Sequence, residues 1–431
     1  MTDDAPGPVA ANPWWDRAMV LAGKLGTGLL PVLMLAISAR VAGARGLGEF
    51  AVALSLAQSV AEVADFTSQR HVARVRLAAG ASGVERRLAA FNALRLATLA
   101  AGLVLAGIAL VVALPVRDAL PSLLVLSAAV WLFANNTSYA TALARGDFLL
   151  IGAGPWVGLA AGAGVTLALA FAEPALGLWA VAAGLHAGKA SETMALWRRF
   201  GYPVASFGRD GMRHEWEATR HLMLVGLVSA ANARILVPLL ALVVGVVGAG
   251  FISVGLNLEA GILLLAVAIS VPAFRGAVEN RVLASPRAAF LVVRRDWMTA
   301  VLLSVVLTGG FLPLAGVVTR ILLADAAAGA VLPVALVVAA SPFDTLCIFS
   351  GICYHAAHHD RRFLRLTTST TLGSLLLVAV GGWLWATPGA ALAFLVSRVG
   401  SAAVLNIPLL LPGIPSRHEE SRLAKGGRSC S

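Results

Sequence analysis

Long apolar runs recur along the whole chain, separated by short polar stretches that collect glycine, proline and arginine. They lie at 18–42, 47–66, 88–114, 119–142, 149–172, 174–197, 219–243, 248–272, 297–321, 327–353, 365–387 and 389–411. Each has about the 20 residues a helix needs to cross hydrocarbon. Backbone N–H and C=O groups find no partner in lipid, so each run predicts a helix whose hydrogen bonds close within the segment. The pattern therefore predicts an all-α integral membrane protein of about twelve transmembrane helices. Composition removes the soluble alternative. Hydrophobic residues make up 59% of the chain and mean hydropathy is +0.84. Charged residues make up 13%, against about 25% in a soluble domain.

Charge adds direction. The formal net charge of +11 has the size of a nucleic-acid footprint, but the charges sit in short loops between apolar runs, so no nucleic-acid partner is expected. With the N-terminus inside, the outer loops hold Arg45, Arg117 and Arg320. Six cations fall within runs. Every other Lys and Arg lands on the cytoplasmic side, including Arg17, the cluster from Arg70 to Arg87, and Arg417, Arg422, Lys425 and Arg428. The positive-inside rule then puts both termini in the cytoplasm. The connection from Phe200 to Glu217 splits six runs from six. It gives an N-terminal six-helix half at 1–205, a C-terminal six-helix half at 206–416 and a basic tail at 417–431. Gly46-Leu-Gly-Glu-Phe50 and Val247-Gly-Ala-Gly-Phe251 open corresponding runs of the two halves. Two parallel halves with a substrate between them are a common transporter plan. The polar segment Met1–Asp16 lacks a signal peptide's basic start and cleavage site, so the first run is expected to be a retained helix. Cys347, Cys353 and Cys430 form neither a disulfide framework nor a zinc spacing.

The informative residues are charges inside the runs, each costing at least about 2.5–3.5 kcal/mol near mid-bilayer. The cations are Lys24, Arg40, Arg95, Lys189, Arg234 and Arg398; the anions are Glu62, Asp65, Glu192, Glu259 and Asp344. Arg40 lies near a run's end and snorkels. Lys24 and Arg95 either snorkel or line a cavity. Lys189 either does so or pairs with Glu192 one turn away. Arg234 and Arg398 fall near mid-run and require a hydrated cavity or a buried partner. A cation-rich interior suits an anionic substrate, because Lys and Arg offset their desolvation on phosphate. The candidate substrate residues are thus Arg234, Arg398, Lys24, Arg95 and Lys189. The anions are candidates for coupling to a proton or sodium gradient: Glu259 first, then Asp344, Asp65 and Glu62. Glu259 alternatively pairs with Arg234, and Glu62 and Asp65 with the Arg70–Arg76 cluster. Asn135, Asn136, Thr137, Ser138 and Tyr139 serve either interhelical hydrogen bonds or sugar contacts. His355, His358 and His359 lie in a loop beside Asp360, Arg361 and Arg362 and read as a solvated tract rather than a metal site. No P-loop, GxSxG or HExxH occurs, and the loops are too short for a catalytic domain. No enzyme activity, catalytic residue, metal or cofactor is expected.

The segment from Arg40 to Ser59, with Val63-Ala-Asp-Phe-Thr-Ser-Gln-Arg70, resembles the opening of bacterial polysaccharide flippases. These belong to the multidrug/oligosaccharidyl-lipid/polysaccharide exporter superfamily. Gly46, Gly48, Phe50, Asp65, Phe66 and Arg70 fit the pattern; Thr67 stands where a glycine is usual. The motif match covers about the first 75 residues, the six-plus-six layout the whole chain. The resemblance implies export of a lipid-diphosphate-linked oligosaccharide, undecaprenyl-diphosphate-linked in bacteria, through a cationic cavity by alternating access. It implies location in the bacterial inner membrane, membrane lipid as a partner, and work alongside a polymerase and glycosyltransferases. Two other functions share this helix count. A multidrug exporter of the same superfamily needs an acidic, aromatic-lined cavity. A major-facilitator small-anion transporter closes on a soluble solute and needs no lateral opening for lipid.

Overall fold

The structure, a computed structural model, describes residues 13–66, 68, 84–113, 116–145, 147–201, 204–279, 285–357 and 359–410. The 417–431 tail, Arg70, Arg74, Arg76, His358 and Cys430 lie outside the described residues. Among the described residues all regular structure is helical. In chain order the helices are α1 (Pro13–Asp65), α2 (Val84–Ala113), α3 (Val116–Ser127), α4 (Ala129–Arg145), α5 (Phe148–Ala172) and α6 (Leu178–Phe200). There follow α7 (Arg209–Ala230), a π-turn (Ala231–Ile235), α8 (Leu236–Glu279), α9 (Pro286–Leu323), α10 (Val331–Val338), α11 (Ser341–Ala356) and α12 (Asp360–Leu410). Among the described residues eight stretches are long and apolar enough to cross a membrane. The protein is a multi-pass membrane protein.

Three of these stretches turn within themselves. Ser374 and Ser397 on α12 share a hydrogen bond at 2.8 Å between their hydroxyls. A straight helix would hold residues 23 apart about 35 Å from each other, so α12 doubles back. The reversal falls at Trp385 (φ −133°, ψ 23°) and Ala386 (φ 53°, ψ −146°). In α1 the break is Gly43 (φ 69°, ψ −171°), and in α8 it is Gly245 (φ 82°, ψ 165°). Both glycines occupy a region closed to residues with a Cβ. Ala324 (φ 49°) and Ala386 enter the left-handed region despite carrying one.

Small residues set the packing. Gly158 and Gly162 on α5 face Gly184 and Gly188 on α6. A Cβ on Gly158 would lie 2.8 Å from the Gly188 carbonyl, and one on Gly162 would lie 2.9 Å from that of Gly184. Glycines four apart on both helices thus bring the backbones into contact, the usual packing solution in lipid. The second leg of α1 is held at both ends. Near Gly43, a Cβ on Gly250 of α8 would come within 2.9 Å of the Gly48 Cα. Near Asp65, a Cβ on Gly226 of α7 would stand 3.3 Å from the Glu62 carbonyl. A Cβ on Gly48 itself would collide with the Val246 carbonyl. Gly48→Ala is therefore expected to cost about 1–3 kcal/mol through overpacking. A detergent melting curve unchanged by this variant would disprove the tightness of the contact.

Candidate functional site

Arg95, on α2, is fully buried. Its Nη2 donates to Asp65 Oδ1, its Nη1 to Thr137 Oγ1 at 2.8 Å and Asn92 Oδ1 at 3.4 Å, and its Nε to the Ala64 carbonyl at 3.3 Å. The guanidinium also lies 4.6 Å from the Phe133 ring centre and 5.4 Å from that of Phe91. Asp65 ends α1 and caps the turn beyond it: Ser68 donates to it from its backbone N–H (3.1 Å) and its hydroxyl (2.7 Å). Ion pair and cap together join α1, α2 and α4.

The second cluster uses α6. Lys189 and Glu192 are both buried and form an ion pair at 2.7 Å. The other Glu192 oxygen accepts from Asn135 Nδ2 at 2.8 Å. Lys24, on the first leg of α1, lies 5.2 Å from the centre of the Tyr139 ring, within the electrostatic reach of Glu192. It is half-buried, and among the described residues no carboxylate stands within ion-pair distance of it. One turn on, a Cβ on Gly28 would lie 3.2 Å from Leu264 on α8.

The third cluster gathers α8, α11, α12 and the π-turn. Arg398 is 4% exposed. Its Nε lies 3.3 Å from Asp344 Oδ2, its Nη1 donates to Asn232 Oδ1, and its Nη2 donates to the Asn232 carbonyl at 2.8 Å. Phe394 stacks 4.5 Å beneath it. Glu259 is 3% exposed, within hydrogen-bonding range of Asp344, and its Oε1 has no partner among the described residues. Arg234 is half-buried in the fields of Glu62 on α1 and Glu259 on α8, and among the described residues no carboxylate comes within ion-pair distance of it. Cys347 borders Asp344 and Arg398.

The nine candidate residues thus sort themselves. Arg95, Lys189 and Arg398 each hold a carboxylate. Among the described residues Lys24 and Arg234 hold none. Arg40, at the periphery, donates to the Ile321 carbonyl. Glu62 faces Arg234, while Asp65 is taken by Arg95. His355 packs edge-on against Phe363.

No protein-family model matches this sequence, nor does any curated protein. Solved structures do. The lipid II flippase MurJ in an inward closed conformation superposes with a TM-score of 0.69 at 13% identity, over 93% of this chain and 86% of that one. The eukaryotic MATE transporter AtDTX14 gives 0.62 at 12% identity, over 96% and 97%. An inward-facing multidrug resistance MATE family transporter of the MOP superfamily gives 0.56 at 11%, over 96% of both chains. This is the fold of the multidrug/oligosaccharidyl-lipid/polysaccharide exporter superfamily. Within this fold, Asn232 and His186 are polar residues that a search for intramembrane charge does not find. His186 Nε2 is 2.8 Å from the Leu124 carbonyl and its Nδ1 accepts from Trp131 at 3.1 Å, spanning the break between α3 and α4. Asn232 had one visible signal, a lone amide two residues before a mid-run arginine.

Proposed function

We propose that this protein is a bacterial inner-membrane flippase for a lipid-diphosphate-linked oligosaccharide, working by alternating access between two six-helix halves, 1–205 and 206–416. Taking each of the three broken stretches as two crossings, and α6 as one more, makes twelve. That even count returns both termini to the arginine-rich, cytoplasmic side. The matching geometry of Gly43 and Gly245 supports a repeat.

The carrying observation is that, among the described residues, Lys24 and Arg234 have no carboxylate at ion-pair distance, whereas Arg95, Lys189 and Arg398 each have one. An unpaired cation in lipid is costly unless an anion arrives to meet it. A diphosphate has the charge and geometry to do so, with a guanidinium gripping it through two parallel hydrogen bonds. Arg398 and Lys189 stand behind these two as the next shell of positive charge. Arg95, with all three guanidinium nitrogens donating to protein groups, serves the fold rather than the substrate. MurJ, a flippase of lipid II, offers a precedent for a lipid-linked cargo on this fold. Glu259 and Asp344 are the acidic pair assigned to ion coupling, and Asp65, committed to Arg95 and Ser68, is released from that role. Glu62, which lies in the field of Arg234, is a further candidate for ion coupling.

In a deletion strain, undecaprenyl-diphosphate-linked oligosaccharide should accumulate while surface polysaccharide disappears, both read by lipid extraction and surface-polymer assay. Unchanged pools and polymer in a strain without a redundant flippase would refute the assignment. They would favour the small-anion or multidrug reading.

A further inference from the structure

Arg40 stands about 24 Å beyond Lys24 along the first leg of α1, at the rise of a helix. It is exposed, and its Nη2 donates to the Ile321 carbonyl in the last turn of α9. That bond joins the two proposed halves at the end of the bundle where α1 breaks at Gly43 and α9 stops. Among the described residues it is the one polar contact of Arg40, although a guanidinium carries five N–H groups. Arg320, beside Ile321, is exposed and makes no ion pair among the described residues. A turn away from Arg40, Val32, Leu35 and Ala36 of α1 meet Val254 of α8 and Leu322 and Leu323 of α9 around an apolar crevice too narrow for water. Leu35, Val254 and Leu323 are buried. An apolar layer thus closes this end, and an arginine clasp lies over it.

Resting on the flippase reading above, we infer that Arg40 and Arg320 form an exit site for a lipid-borne phosphate: the phosphate takes Arg40 from the Ile321 carbonyl and so unclasps the halves. In the orientation proposed above this is the outer end, where cations are depleted. Two arginines flanking one seam there run against the chain's own charge bias. The carbonyl is a neutral acceptor, whereas a phosphate accepts through two parallel charge-assisted hydrogen bonds, each roughly twice as strong as a neutral one. With no anion at the rim the clasp holds and the apolar layer excludes water. With a phosphate present, the state in which Arg40 is free binds it better, and that difference in affinity shifts the population toward opening. No covalent bond forms or breaks. The departing carrier lipid or a phospholipid of the outer leaflet supplies the same chemistry.

The test places a thiol in the apolar layer, Ala36→Cys, and follows its labelling by a maleimide in the purified full-length protein, held in a phosphate-free maltoside detergent. The chain with its native cysteines alone gives the background. Labelling should be slow, and farnesyl diphosphate, a lipid chain with a diphosphate and no sugar, should speed it about tenfold, a usual size for a coupling between sites. Phosphatidylglycerol is the second arm. Acceleration by farnesyl diphosphate alone assigns the site to the departing carrier; acceleration by phosphatidylglycerol as well assigns it to any lipid phosphate at the rim. Adding Arg40→Gln removes the charge, so basal labelling should rise about fivefold, as loss of one hydrogen bond allows, and neither lipid should raise it further. Arg40→Lys should restore the slow basal rate and part of the response. Three results would overturn the inference: no response to either lipid in the Ala36→Cys protein, an Arg40→Gln protein as slow and as responsive as its parent, or a faster Arg40→Gln protein that farnesyl diphosphate still accelerates tenfold. The flippase reading fails separately, on unchanged lipid-linked pools in the deletion strain.

Discussion

Arg95→Leu is expected to lose about 3–5 kcal/mol of stability, because it strands Asp65 as a largely buried charge without a cation. The loss should appear as a lowered unfolding midpoint in detergent and reduced protein in the membrane. The pair, not the residue, is what the fold requires. Arg95→Leu combined with Asp65→Leu should recover much of the loss, since replacing both ions with apolar groups is often neutral. A double variant as unstable as the single one would mean that the Thr137, Asn92 and Ala64 contacts of Arg95 matter more than its charge. Flipping by the rescued protein should be close to normal, which separates Arg95 from the cations assigned to substrate.

Arg234→Gln should show the opposite profile. The protein should fold and reach the membrane, because among the described residues no carboxylate stands at ion-pair distance from this guanidinium. Flipping should fall by about 30-fold to 10³-fold, the equivalent of about 2–4 kcal/mol for truncating one side of a desolvated charge contact. Lys24→Gln should act in the same direction. Arg234→Lys, which keeps the charge and loses the planar fork, should recover only part of the rate. The measurement is appearance of surface polymer in a deletion strain carrying each variant at matched membrane levels. Normal polymer with Arg234→Gln would remove this residue from the mechanism.

The layout of the fold was legible because its signal is local. An apolar run of the required length predicts a spanning helix wherever it stands, and Gly43, Gly245 and the Trp385–Ala386 break fall in or beside the gaps between runs. The Lys189–Glu192 pair was legible for the same reason: its partners sit one turn apart on one helix. Asp65 was not assignable to Arg95, because 30 residues separate them and helical periodicity says nothing about which helix lies alongside. The sequence offered Asp65 the nearer arginines of its own loop instead. Arg398 found Asn232 across 166 residues. That contact depends on a backbone feature, the π-turn, that residue type does not encode. The eight qualifying stretches and the twelve runs differ for a related reason. By length and apolar composition α12 counts once, whereas the Trp385–Ala386 break and the Ser374–Ser397 bond show its two legs.

The second leg of α1 touches α8 at Gly48 and α7 near Glu62, and the 14 residues between span about 21 Å at the rise of a helix. Mechanically this is a beam resting on two seats. Lifting it from one while the other stays in place makes the seated end a fulcrum, so a tilt of a few degrees there becomes an ångström or two at the free end. Because each seat is backbone against backbone, neither has a long side chain to take up slack. On the alternating-access reading, a leg released at its α7 seat would carry Glu62, which lies in the field of Arg234, with its free end.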